Sequence, residues 1–222
     1  MAIHLLNVFR TFLYRCRMNP PKHLLFFRRD VFLLSGIVLF ALALRLLHVS
    51  QIVSTPLFHG LAVDSPFYQD LAEKILDGQL LHDGLNYLSP FYPFFLALVY
   101  GLFGTHLLPV AIVQSFLDSC SCLLIYYIGQ RLFSRAVGLI AAFIYACYGI
   151  AIFYAGLALA PTTVIFFILC SISSLLFALE RNRTFFVLSG LSFGLVSLAR
   201  SNMVLFLPVL ALWFLTCGRK KL

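Results

Sequence analysis

Between Val31 and Val53 the chain runs VFLLSGIVLFALALRLLHVSQIV, with Arg45 as the one Lys, Arg, Asp or Glu in the stretch. A run of that length and polarity is suited to crossing a bilayer as a helix, since about 20 residues span a hydrocarbon core of ~30 Å. Lipid offers the backbone no hydrogen-bond partner, so such crossings are helical. Further apolar runs follow at 90–104, 107–130, 136–155, 161–179, 184–199 and 203–217. With 62% hydrophobic and 11% charged residues and a mean hydropathy of +0.98, the chain reads as an all-α polytopic membrane protein. Its 222 residues leave no room for a large soluble domain beside a helix bundle.

The formal charge of +8 is gathered at discrete points, a pattern of membrane topology rather than of nucleic-acid binding. If every apolar run crossed, Arg131 and Arg135 would lie outside. The run 90–104 starts with two prolines and reaches only ~22 Å as a helix. Reading it as a re-entrant or juxtamembrane helix places Arg131/Arg135, Arg181/Arg183 and Arg219/Lys220/Lys221 all in the cytoplasm, as the positive-inside rule favours. The expectation is six spans plus that helix, with both termini cytoplasmic. Residues 1–30 read as a basic cytoplasmic segment whose 2–17 portion, with Arg10, Arg15 and Arg17, forms an amphipathic surface helix. Residues 31–217 form the transmembrane domain and 218–222 a basic tail. The six cysteines lack metal-ligand or redox spacing, and neither disulfides nor a metal site is expected.

Only eight residues are acidic, and four of them, Asp64, Asp70, Glu73 and Asp77, fall within the stretch 62–79, AVDSPFYQDLAEKILDGQ. This stretch lies in the first outer loop, 54–89. Ser65 is a candidate cap for a helix with Pro66 at its first position, and Phe67, Leu71 and Ile75 fall on one apolar face. Asp64 then stands at the positive end of the helix dipole, either as a helix-start residue or as a held functional carboxylate. Asp70, Glu73 and Lys74 read as a solvated face.

Inside the spans, Asp118 is costly and draws attention, sharing a polar stripe with Gln114 and Cys122 at four-residue spacing. It serves either function or an interhelical hydrogen bond. Arg45 either snorkels to the headgroups or pairs with Asp64 or a lipid phosphate. Arg200-Ser201-Asn202 is expected to form an outer hairpin, with Arg200 binding phosphate or anchoring at the headgroups. Tyr145, Tyr148, Tyr154 and Trp213 read as packing and interface aromatics.

A basic start, one span and then an outer loop with Asp64-Ser65-Pro66-Phe67-Tyr68 leading a juxtamembrane helix resembles the GT-C fold glycosyltransferases, closest to the protein O-mannosyltransferase and aminoarabinose transferase group. The stretches YLSPFYPFFLALVYGLFG (87–104), GQRLFSRAVGLIAA (129–142) and GLSFGLVSLARSNMVLFLPVLALW (190–213) match in order and spacing. The resemblance covers about 31–217. It implies an inverting transfer of a sugar from a polyprenyl-phosphate donor to an acceptor glycan, lipid or protein on the extracytoplasmic side. Asp64 matches the family's loop aspartate as the catalytic residue and Tyr68 the aromatic four residues on. Arg45, Arg200 and Asp118 are the further candidates for substrate binding. No cofactor is required by the resemblance, though a divalent metal is compatible with it. Leu88-Ser89 stands where aminoarabinose-type transferases carry an acidic-basic pair, and GLALAPTT (156–163) lacks the acid often found in the second outer loop. The family usually continues through more spans, so the chain is expected to be an N-terminal part with little activity alone. A non-catalytic remnant or assembly subunit, or a small transporter, are the alternatives.

Overall fold

The computed structural model of the chain describes residues 28–56, 58, 64–79, 89–180 and 182–208. Among these, regular structure is helical, with no strand. The order is α1 (Arg28–Ile52), α2 (Ser65–Leu76), α3 (Phe91–Phe103), α4 (Leu107–Leu132), α5 (Arg135–Ala146), α6 (Gly149–Ala155), α7 (Pro161–Glu180) and α8 (Phe185–Ala199), followed by a 3-10 turn, Ser201–Leu205. The chain is thus an all-α membrane protein, as its composition predicts. The expected surface helix at 2–17, most of the last span, Trp213 and the tail 218–222 lie outside the described residues.

Helix α4 is the axis of the bundle, packing against α1, α5 and α7. Without water to drive helices together in lipid, small residues let backbones approach and gain dispersion contacts. Ala111, Ser115, Ser119 and Cys122 form such a buried face on α4. Contact is closest where α4 turns into α5. A Cβ on Gly129 would stand 2.8 Å from the Gly138 Cα, and one on Gly138 would stand 2.7 Å from the Tyr126 carbonyl oxygen. Only glycine fits both positions. Phe133 and Ser134 alone link the two helices, and Ser134 caps α5 by accepting from the Val137 amide at 3.3 Å.

The two ends of the bundle differ chemically. At one end Arg131 pairs with Glu180 at 2.8 Å, and Arg135 pairs with Asp30 at the start of α1. At the other end Tyr68 and Ala72 of α2 pack with Tyr92, Leu96 and Val99 of α3, Val110 of α4, Ala158 and Ala160 before α7, and Val196 and Ala199 of α8. The acidic helix and the Arg200 corner therefore share one end, and the Arg131/Arg135 cluster occupies the opposite one.

Among the described residues, three helices are long and apolar enough to cross a membrane: Asp30–Ile52, Leu107–Leu132 and Pro161–Glu180. The expected span 136–155 is not one straight helix. It breaks between α5 and α6 with a bend of 55°, and makes a fourth candidate if counted as one broken span. No proline signals this break. Tyr148 leaves helical geometry at φ −73°, ψ 105°, and the Ala146 carbonyl is taken up by Arg45 at 3.2 Å, a partner 101 residues away. The runs at 90–104 and 184–199 appear as the shorter apolar helices Phe91–Phe103 and Phe185–Ala199. The stretch 156–163 also differs from a water-facing loop, since Leu157, Ala158, Ala160, Thr162 and Thr163 are buried in the bundle.

Candidate active site

Helix α2 begins one residue earlier than its sequence suggests. Asp64, not Ser65, holds the cap position, and Pro66 follows within the first turn. Asp64 makes no side-chain capping bond, while its backbone carbonyl accepts from the Tyr68 amide at 3.2 Å. Ser65 is buried and accepts from the Gln69 side chain at 3.0 Å. The Asp64 carboxylate is exposed and left at the positive end of the helix, free of the capping duty that would have explained it blandly.

The buried face of α2 is Ser65, Tyr68, Leu71 and Ala72, rotated from the expected Phe67-Leu71-Ile75 line; Phe67 is 63% exposed. The rotation follows from α3. Tyr68 meets Tyr92 edge-to-face, with centroids 4.9 Å apart and planes at 76°, a preferred aromatic geometry. Lys74 pairs with Asp70 at 2.7 Å on the outward side, in keeping with a solvated face.

Asp64, Tyr68 and Arg200 lie at the same end of the bundle. Burial pushes the Tyr68 phenol above the usual tyrosine range, the Asp64 charge adds to the rise, and the Arg200 charge opposes it. The hydroxyl therefore stays protonated at neutral pH and remains a donor. Arg200 is exposed, just beyond α8, where the backbone turns extended at φ −146°, ψ 98°. Its carbonyl accepts from the Met203 amide at 2.9 Å, and Met203 folds back onto the cluster containing Tyr68. A carboxylate, a neutral phenol and a guanidinium thus converge at one end of the bundle.

Arg45 and Asp118 lie elsewhere. The sequence offered Arg45 a partner in Asp64 or a lipid phosphate; the structure gives it Asp118. Arg45 Nε stands 2.5 Å from Asp118 Oδ2, and the side chains are 0% and 1% exposed. Arg45 Nη1 also donates to the carbonyls of Ala41 at 3.0 Å and Ala146 at 3.2 Å. Tyr145 donates to the other Asp118 oxygen at 2.5 Å, and the guanidinium lies 5.8 Å from the Tyr145 ring centroid. This knot joins α1, α4 and the broken α5–α6 helix. Asp118 is the interhelical contact that the polar stripe allowed, and Tyr145, read from sequence as plain packing, is part of it.

The stripe's upper member, Gln114, was underread. It accepts from the Tyr92 hydroxyl at 2.8 Å and donates to the Leu157 carbonyl at 2.5 Å. Tyr92 itself drew no attention in the sequence; a phenol in an apolar helix signals a buried partner. Among the described residues, no group of three His, Cys, Asp or Glu side chains is placed to hold a metal ion.

No curated protein and no solved structure matches the chain. The family model for dolichyl-phosphate-mannose-protein mannosyltransferase matches residues 88–222, more than half of the chain. The match takes in Asp118 and Arg200 and begins after Arg45, Asp64 and Tyr68. With its helical bundle and apolar spans, the chain belongs to the dolichyl-phosphate-mannose-protein mannosyltransferase family, a family of membrane glycosyltransferases.

Proposed function

We propose that the chain serves transfer of a sugar from a polyprenyl-phosphate donor to an acceptor hydroxyl at the extracytoplasmic face of the membrane, with Asp64 as the base. The observation that carries this reading is that α2, with Asp64 exposed at its N-terminus and Tyr68 buried, packs in one core cluster with Ala199, the residue before Arg200. The acceptor oxygen attacks the anomeric carbon as the bond from that carbon to the phosphate oxygen breaks. The bonding electrons leave with the polyprenyl phosphate, and Asp64 takes the acceptor's proton. An ionised phosphate leaving group needs no general acid, so one carboxylate suffices where glycoside hydrolases need two. Arg200 and the Tyr68 hydroxyl hold the departing phosphate charge. Attack opposite the leaving group inverts the anomeric centre.

A charge-assisted hydrogen bond contributes about 1.5–3 kcal/mol. Arg200→Gln is therefore expected to weaken retention of a fluorescent polyprenyl-phosphate sugar by about tenfold or more in nanodiscs. Unchanged affinity would remove Arg200 from the donor site.

The same reading sets the orientation: the α2 end outside, the Arg131/Arg135 end and both termini in the cytoplasm. Gln79, just past α2, and Asn182, between α7 and α8, then lie on opposite sides. Single cysteines there should label oppositely in intact cells with an impermeant thiol reagent, Gln79→Cys being the one reached. Labelling of Asn182→Cys from outside would reverse the assignment.

A further inference from the structure

Helix α2 has 12 residues, a length at which an isolated helix is marginal in water. What seats it is α3, and what seats α3 is a buried polar connection. Tyr92 is 0% exposed, with Tyr68 packed edge-on against its ring and its hydroxyl donating to Gln114 Oε1 at 2.8 Å. Gln114, also 0% exposed, turns its amide nitrogen to the Leu157 carbonyl at 2.5 Å and lies 3.4 Å from that of Ala155. Both carbonyls belong to the break where α6 ends at Ala155 and α7 has not yet begun at Pro161. No helical bond reaches them there and lipid offers none; the Leu157 carbonyl also accepts from the Leu159 amide at 2.8 Å, so Gln114 takes its second acceptor site.

Each partner would be costly alone. A buried phenol, a buried amide and the Ala155 carbonyl inside a bundle each carry a desolvation penalty, which falls only when all are paired. Phenylalanine would fill the Tyr92 site with the same ring. The hydroxyl is therefore explained by Gln114, and Gln114 by the break. A primary amide suits the position because it accepts on one side and donates on the other. Apolar packing of Ala72, Leu96 and Ala97 tolerates sliding; a chain of hydrogen bonds does not, because donor and acceptor must align.

We propose that Tyr92 and Gln114 are positioning residues for the transfer reaction, hanging α3 from the α6–α7 break and thereby fixing where α2 presents Asp64. The proposal rests on the reading of Asp64 as the base, yet its central test does not depend on it. Tyr92→Phe keeps the ring and removes only the hydroxyl. Gln114→Leu removes both halves of the amide at similar volume.

Hydrogen–deuterium exchange of the whole chain in nanodiscs reads the seat directly. In both variants amide exchange in 65–76 should rise about tenfold or more, while 107–132 and 185–199 stay protected as in the parent chain. Unchanged protection of 65–76 overturns the proposal, and so does a rise spread evenly over all helices, which marks general loosening. Turnover with a lipid-linked sugar, measured in the form of the protein in which transfer is observed, supplies the functional arm. Both variants should lower kcat about tenfold or more with KM little changed, since a small misplacement of a catalytic group acts on the chemical step. Local loosening of α2 with kcat unaffected would show a seat that positions nothing and overturns the proposal. Activity unaffected by removing the Asp64 carboxylate would sink the base assignment instead, leaving the exchange result standing.

Discussion

Asp118→Ala is expected to destabilise the chain by about 3–5 kcal/mol, because it leaves Arg45 as a buried cation without its counter-charge. Arg45 is 0% exposed and cannot recover solvation by a small rotation. Its remaining acceptors, the carbonyls of Ala41 and Ala146, carry partial charge only. Tyr145 would lose its acceptor as well. Arg45→Met should cost a similar amount by stranding Asp118 and freeing the Ala146 carbonyl at the helix break. Removing both charges together, as Arg45→Met with Asp118→Leu, should restore much of the loss, since an apolar pair of similar volume often replaces a buried ion pair without penalty. Reversible unfolding in mixed micelles measures all three. Single variants within about 1 kcal/mol of the parent, or a double variant equal to the sum of the singles, would show that the two side chains do not depend on each other.

Asp64→Asn is expected to lower turnover by about 10²-fold or more, the usual worth of a positioned general base. The substitution is well suited to the question because Asp64 makes no side-chain capping bond, so asparagine takes nothing from the helix except charge at its N-terminus. That loss is worth about 0.3–1 kcal/mol, too little to explain a hundredfold effect through folding. Donor binding should persist, because Arg200 and Tyr68 remain. Turnover near the parent rate with the lipid donor still bound would reduce Asp64 to a helix-start residue. The measurement calls for the chain in the form in which transfer is observed, with whatever further segments that form contains.

The helical class and the sorting of charged clusters to opposite ends were legible because both are written locally: apolar runs for the helices, basic clusters for one end, an acidic loop for the other. The placement of Asp64 and Tyr68 one turn apart at the start of a short helix was legible too. Partners across the bundle were not. Arg45 finds Asp118 at a sequence separation of 73 and Ala146 at 101, and nothing near either residue announces the choice. On α2 the expected Leu71 and Ile75 do pack inward, but Phe67 is exposed and Tyr68 is buried in its place, edge-to-face against Tyr92. Cys147-Tyr148 breaks its helix without a proline, and the Ala146 carbonyl at the break is taken up by a guanidinium from α1.

That break also has a consequence for the surrounding membrane. Helix α5 has 12 residues and α6 has 7, so at ~1.5 Å per residue they rise ~18 Å and ~10 Å. With a bend of 55° between them, α6 adds only ~6 Å along the α5 axis. Helix α8, with 15 residues, reaches only ~22 Å. Bilayers meet short spans by thinning, at a cost of fractions of a kcal/mol per Å of mismatch. Thinning beside the short α8 would bring the headgroups nearer to Arg200, which follows its last residue. On the proposed function, a lipid-linked phosphate would then reach the guanidinium at its own depth, without being lifted out of the leaflet.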